Sequence, residues 1–224
     1  MTTGLRESKK RQTRTLIADT AWRMFTDRGF DAVRVAEIAR EAGVSEATVF
    51  NYFPRKEDLL YTRLEAFGER LLAAVDSRQA GVSVLDAVRT FLSRSSGLLA
   101  QVEAGDDEAL LRLRTVHRMI AGSPALRARE QQAVADATTA LAARITSETG
   151  GPTGTVDVTA YVAANALMGV HRALIDLVRQ RVLADEAADR LAADVRAYGT
   201  QAFGLLAQGF ADYAVRSPGY GAEA

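Results

Sequence analysis

The chain contains no cysteine. Disulfides, thiolate metal sites and a cysteine nucleophile are excluded, and the composition suits a reducing compartment. Proline is scarce, with four residues at 54, 124, 152 and 218, and histidine is scarcer, with two, at 117 and 171. Neither sign of charge is in excess: 28 Lys and Arg balance 28 Asp and Glu. That balance excludes a strongly basic coat for nucleic acid. Together with 48% apolar residues it also excludes a disordered chain. Long apolar runs are missing. The best candidate, Tyr161 to Val170, contains Asn165 and is too short to span a bilayer. The first fourteen residues lack the apolar core of a secretory signal. The expectation is a cytoplasmic chain without membrane association.

Catalytic motifs are lacking too. There is no His-Glu-x-x-His and no Glu-x-x-His, so helical zinc and di-iron sites have no ligands. Gly199-Thr-Gln-Ala-Phe-Gly204 imitates half of a phosphate-binding loop but continues Leu-Leu without Lys-Ser/Thr, and no strand precedes it. Asp106-Asp107-Glu108 is explained as the negatively charged start of a helix. The reading is a non-enzyme with no metal and no cofactor.

What is present is helix-forming composition. The segments 55–123 and 153–217 hold no proline and are rich in Ala, Leu, Arg and Glu. Hairpin signals such as Asn-Gly and Asp-Gly are missing. A length of 224 residues accommodates one large or two small domains. An all-α fold is expected, with three short helices in residues 1–55 and six longer ones in 56–224. The first runs from Ser8 or Thr13 to Arg28, with Gly29 as its left-handed stop. Short helices at about 35–42 and 46–52 follow, and Pro54 blocks continuation. Longer helices are expected at about 56–75, from Ser83 through Leu99, after Asp106 to Gly122, from Ser123-Pro124 to Glu148, at 156–181 and at 185–215. The stretch Gly150 to Gly154 reads as a loop, and the tail from Pro218 as frayed.

Residues Val35 to Phe53 carry the functional signal. Ala39 is small where a second helix must cross. Gly43 supplies a left-handed turn. Ile38, Val44 and Val49 form a small shared core, and Ser45 caps the second helix. This is the pattern of a helix-turn-helix, whose second helix enters the major groove of DNA. The faces left over expose Glu46, Ala47, Thr48, Phe50, Asn51 and Tyr52. Lys56 stands at the start of the next helix, where an ammonium and backbone amides jointly suit a phosphate. Lys9, Lys10 and Lys56 are the only lysines, and the segment to Arg14 holds five basic residues against one acidic.

Gly29-Phe30-Asp31, Val35-Ala36-Glu37-Ile38-Ala39, Ala42-Gly43-Val44-Ser45 and Thr48-Val49-Phe50-Asn51-Tyr52-Phe53-Pro54-x-Lys56-Glu57 closely resemble the N-terminal domain of TetR/AcrR-family transcriptional regulators. The resemblance covers about residues 13–62. It implies a three-helix DNA-binding domain, followed by a six-helix domain for ligand binding and dimerisation. It further implies a homodimeric repressor on double-stranded DNA, released from a near-palindromic operator by a small-molecule effector. Carried over by position, Ser45 and Thr48 touch phosphate or bases, and Glu46, Ala47 and Asn51 sit where bases are often read. Tyr52 and Lys56 match phosphate contacts. Asn51 suits adenine or is simply exposed, and Glu46 accepts from cytosine or complements the helix dipole. Two departures stand out. Phe50 replaces a usual Tyr and loses a phosphate-binding hydroxyl. Val33-Arg34 replace a hydroxyl pair, so the first short helix loses its cap, while Arg34 either holds a phosphate by charge or is solvated.

For residues 56–224 the resemblance implies a dimer interface from the last two helices and an effector pocket. Leu167, Val170, Leu174, Leu177 and Val178 form one apolar side. Leu191, Val195, Tyr198, Ala202, Leu205 and Phe210 form another, with Gly199, Gly204 and Gly209 suited to close helix approach. Candidate effector contacts are Phe67, Phe91, His117, Tyr161, Asn165, Met168 and Arg172. Asn165 leads them, because a buried amide in an apolar run needs partners. The competing reading is a DNA-binding protein of the same fold controlled by a protein partner, or without a small ligand.

Overall fold

A computed structural model describes residues 2–61, 66–94, 98–151 and 155–210, with side chains for 7–61, 67–94, 99–151 and 155–209. Eleven helices account for most of them: α1 (Thr2–Arg28), α2 (Val35–Glu41), α3 (Glu46–Tyr52), α4 (Lys56–Tyr61), α5 (Ala66–Asp76), α6 (Val84–Ser93), α7 (Leu98–Glu103), α8 (Asp107–Gly122), α9 (Pro124–Thr149), α10 (Val158–Leu183) and α11 (Ala188–Phe210). The all-α expectation holds. Leu64, the Pro152 to Gly154 part of the loop, the side chain of Phe210 and the tail from Pro218 lie outside the described residues.

The chain divides into two compact units, though not at residue 55. Unit 1 comprises residues 1–66 and 119–129; unit 2 comprises 67–118 and 130–224. α8 and α9 therefore each contribute residues to both.

In unit 1, α1 packs on α2 and α4, and α2 packs on α3. Ile17, Ala21, Phe25, Ile38, Val49 and Phe53 are buried, and the Phe25 and Phe30 rings lie 4.9 Å apart. α1 starts earlier than expected. Thr13 does not cap; its hydroxyl donates to the Lys9 carbonyl at 3.0 Å inside the helix, and no proline interrupts the preceding turns. The second segment of the unit is tied in by polar contacts and by burial. The Tyr61 hydroxyl donates to the Leu126 carbonyl at 3.0 Å, and Ser123 donates to Asp31 at 3.1 Å. Arg129 Nε donates to Asp58 at 2.8 Å. Ile120 and Leu126 are buried.

Unit 2 is built on α10 and α11, which pack on each other and on α6. Leu71, Val75, Val88, Leu141, Ile145, Ala160, Ala163, Ala164, Leu167, Met168 and Phe203 fill its larger core. A second cluster joins Leu110 and Leu113 of α8 to Val178, Val182, Leu191 and Val195. Ser83 caps α6 and Asp157 caps α10, as their side chains accept from Asp86 N and from Thr159 N and Ala160 N. The single helix expected from Ser83 through Leu99 is interrupted: Arg94 is extended at φ −88°, ψ 110°. Asp185 turns the chain between α10 and α11 at φ 56°, a left-handed conformation that Asp tolerates. α10 is long and apolar enough to cross a membrane by length and composition. Its Ala160, Ala163, Ala164, Leu167, Met168, Val170, Val178 and Val182 are instead spent on the core of unit 2.

The buried Leu126 lies well beyond α3 in sequence yet in the same unit. Leu126→Ala removes buried methyls and leaves a cavity, a cost of about 2–5 kcal/mol. Hydrogen exchange should accelerate in α1 and α4, not only around residue 126.

Candidate functional site

The helix-turn-helix is assembled from local bonds. Arg34 is extended, and its N–H donates to Glu37 Oε2 at 2.9 Å. Arg28 holds the other oxygen of Glu37 at 2.9 Å. A carboxylate three residues into the helix thus does the work of the missing hydroxyl cap at Val33-Arg34. The backbone N–H of Arg34 first, and Arg28 second, hold the Glu37 carboxyl below its ordinary range. α2 ends at Ala42, Gly43 turns left-handed at φ +67°, and Val44 N–H returns to the Ala39 carbonyl at 2.9 Å. Ser45 then caps α3: its Oγ accepts from Thr48 N–H at 3.0 Å and lies 2.7 Å from Thr48 Oγ1. Buried Val49, Ile38 and Ala39 pin α3 to α2. At the far end Phe53 is extended and buried. Arg55 N–H donates to Asp58, the same carboxylate that Arg129 engages.

Of the residues expected to meet DNA, Arg34, Ser45, Glu46, Ala47 and Asn51 are exposed, and Thr48, Tyr52 and Lys56 are half-buried. Lys9, Lys10 and Arg11 are exposed on α1, and so are Arg40 and Arg55, which sequence reasoning left out. Lys56 is not simply presented to solvent. Its ammonium donates to the Phe30 carbonyl at 2.6 Å and lies 4.3 Å from the Phe30 ring centroid. Burial lowers its pKa from the ordinary lysine value. One of three donors is thereby spent on the turn after α1. Phe50, expected on the exposed face and without the hydroxyl of a Tyr, is 43% exposed.

The residues expected to form an effector pocket separate into three groups. Phe67, Phe91 and Met168 belong to the larger core region of unit 2. The Phe67 ring lies 5.5 Å from Phe91 and stacks on His171 at 4.0 Å, with an interplanar angle of 11°. His171 was missed, although its place three residues after Met168 puts it on the same helix face. His117 is buried elsewhere, beside Arg179, and its Nδ1 has no hydrogen-bond partner among the described residues. Tyr161, Asn165 and Arg172 are exposed. The expectation of a buried Asn165 amide is corrected. Its Nδ2 donates to the Tyr161 carbonyl at 2.7 Å in its own helix, because the core-facing arc of α10 is taken by Ala160, Ala164, Leu167 and Met168.

The expected dimer stripe divides in the same way. Leu167, Val170, Val178, Leu191 and Val195 are buried within unit 2, while Tyr198 (48%) and Leu205 (72%) are exposed. Gly199 lies against Leu174, whereas Gly204 and Gly209 face open space.

Residues 17–61 match the tetR family of bacterial regulatory proteins. The chain is 34% identical over 115 residues to the HTH-type transcriptional regulator TcmR of Streptomyces glaucescens, covering 49% of this chain and 51% of TcmR. It thus spans about half the length of that relative. It is 27% identical over 154 residues to the regulator MftR of Mycobacterium tuberculosis, covering 69% of this chain and 73% of MftR. Among solved structures, Salmonella enterica GusR aligns with 88% of this chain and 94% of its own, at 19% identity and a TM-score of 0.48.

Both imidazoles of unit 2 are held neutral: burial lowers each pKa from 6.5 to about 4, with Arg179 adding to the effect at His117. Unfolded histidine takes up its proton near 6.5, so the unfolded state binds more protons between about 6.5 and 4. Stability contributed by neutral histidine is complete above that window and is lost as pH falls through it. Thermal unfolding followed from pH 7 to 4.5 should show this loss, and His117→Gln combined with His171→Gln should flatten it.

Proposed function

We propose that this chain, whose residues 17–61 match the tetR family of bacterial regulatory proteins, is a member of that family and a DNA-binding transcriptional regulator, a homodimeric repressor released by a small-molecule effector. The observation that carries the reading is α3. It is a two-turn helix capped by Ser45 and pinned through Val49, with Glu46, Ala47, Phe50 and Asn51 turned outward. A helix held that way serves as a reader in the major groove. Exposed Arg34, Arg40, Arg55, Lys9, Lys10 and Arg11 supply phosphate contacts and hence salt-sensitive affinity. Lys56 joins them through the ammonium donors that the Phe30 carbonyl does not occupy. In this role it couples phosphate binding to the turn that follows α1.

Dimerisation is supported by the outer faces of α10 and α11. Val158, Val162, Gly169 and Ala173 on one, and Ala197, Tyr198, Gly204 and Leu205 on the other, are exposed apolar or small residues. Two helices from each subunit then form a four-helix bundle. A dimer presents two copies of α3 to half-sites about one helical turn, or a multiple of it, apart on a near-palindrome. The effector binds unit 2 at the Phe67, Phe91 and His171 stack beside Met168. It releases DNA by preferring a state in which the two readers are wrongly spaced. The protein works by binding rather than catalysis, in the cytoplasm.

Selection of bound sites from random duplex DNA tests the reading, followed by titration of the selected site at several salt concentrations. A near-palindrome with a steep salt slope is expected. Lys56→Ala should weaken binding to all sequences and reduce the slope by about one. Asn51→Ala should relax preference at one base pair, by about 1–3 kcal/mol. No enrichment over random DNA overturns the proposal.

A further inference from the structure

The outward face of α3 has an unusual order of chemistry. With about 100° between successive residues, Phe50 and Ala47 occupy the middle of the exposed arc, and Glu46 and Asn51 occupy its two edges. Buried Val49 lies on the opposite side. A solvent-facing helix ordinarily places its polar residues at the centre of that arc. Here the most outward side chains are a phenylalanine, 43% exposed, and an alanine. Neither is needed to hold the helix, because the cap and the Val49 anchor are made by other residues.

The hydroxyls next to this face are already engaged. Ser45 Oγ accepts from Thr48 N–H, and the two side-chain oxygens lie 2.7 Å apart. The centre of the reading face therefore offers apolar contact and little hydrogen bonding. In the major groove one base pair group answers to apolar contact, the C5-methyl of thymine. Arg34, Arg40 and Arg55, exposed in the segments that flank α3 in sequence, supply charge for phosphates.

Resting on the reading of α3 as the groove-entering helix, we infer that Phe50 and Ala47 are specificity-determining residues that read thymine methyl groups, so that each half-site holds at least one thymine recognised by its methyl alone. Glu46 and Asn51 at the edges then read hydrogen-bonding base edges on either side. Phe50 is not a vestige of a lost phosphate contact; the missing hydroxyl is what makes an apolar reader of the position.

The test uses the full-length protein and the near-palindrome that it selects. Each thymine of a half-site is replaced in turn by uracil, which removes only the methyl and keeps every base-edge hydrogen-bonding group. The result expected is a loss of roughly fourfold in affinity per half-site at one or two positions, the value of one buried methyl. At the position that Phe50 reads, Phe50→Ala should bind the thymine and uracil duplexes equally, with its overall fold intact by circular dichroism, while a position read by Ala47 keeps its difference. Phe50→Leu, which keeps an apolar contact, should restore most of the difference. Sequence-specific binding by the wild type that is indifferent to uracil at every position overturns this inference and leaves the regulator reading standing. So does a uracil effect that persists undiminished at every position in Phe50→Ala. Failure to select any sequence overturns both.

Discussion

A two-turn helix cannot stand by itself. Helix nucleation costs more than seven residues return, so α3 exists only because its surroundings hold it. This constraint orders the rest of unit 1. Ser45 satisfies an amide at the start of α3 and the extended Phe53 closes its end, while Val49 is buried against Ile38 and Ala39. α2 is as short and depends on the Glu37 carboxylate bonded to the Arg34 amide. At the start of α4 the Asp58 carboxylate serves twice, receiving the Arg55 amide and the guanidinium of Arg129. α2 and α3, too short to persist alone, are stable because each is capped and the two pack on one another.

Charge is arranged by the same economy. The chain is neutral overall, so affinity for a polyanion must come from local placement. Several of the basic groups near α3 are partly committed to the protein itself. Arg28 braces Glu37, and the Lys56 ammonium bonds the Phe30 carbonyl over the Phe30 ring. A cation tied to backbone at one donor is oriented in advance, and such orientation lowers the cost of binding an anion of the kind proposed above.

Much of this was legible in the sequence, and the parts that were not share a cause. Gly29, Gly43 and Ser45 announced the ends of α1, α2 and the start of α3 because a left-handed glycine and a capping hydroxyl act on neighbours within four residues. The Ser83 cap and the stop at Gly122 were readable for the same reason. The Glu37 cap is encoded in its spacing to Arg34, at a helix start that carries no hydroxyl. Asn165 was misplaced because an apolar run does not reveal which arc of a helix faces inward; α10 is apolar on more than one side. Least accessible were the bonds between Asp58 and Arg129 and between Tyr61 and Leu126, whose partners stand 71 and 65 residues apart. No local pattern encodes such a pairing. The placement of His171 on Phe67 was missed likewise, because stacking needs two helices at once.

The split composition of unit 1 has a consequence for how the protein is made. A chain leaves the ribosome from its N-terminus, and domains generally fold as they emerge. Here the first unit in sequence is not finished when its first segment is. Its buried Ile120 and Leu126, and the Arg129 partner of Asp58, arrive only after more than fifty residues of the other unit have been synthesised. A nascent or truncated chain ending before residue 119 carries the helix-turn-helix sequence without the second segment of its unit, and without the Tyr61, Asp31 and Asp58 bonds that tie the two segments together.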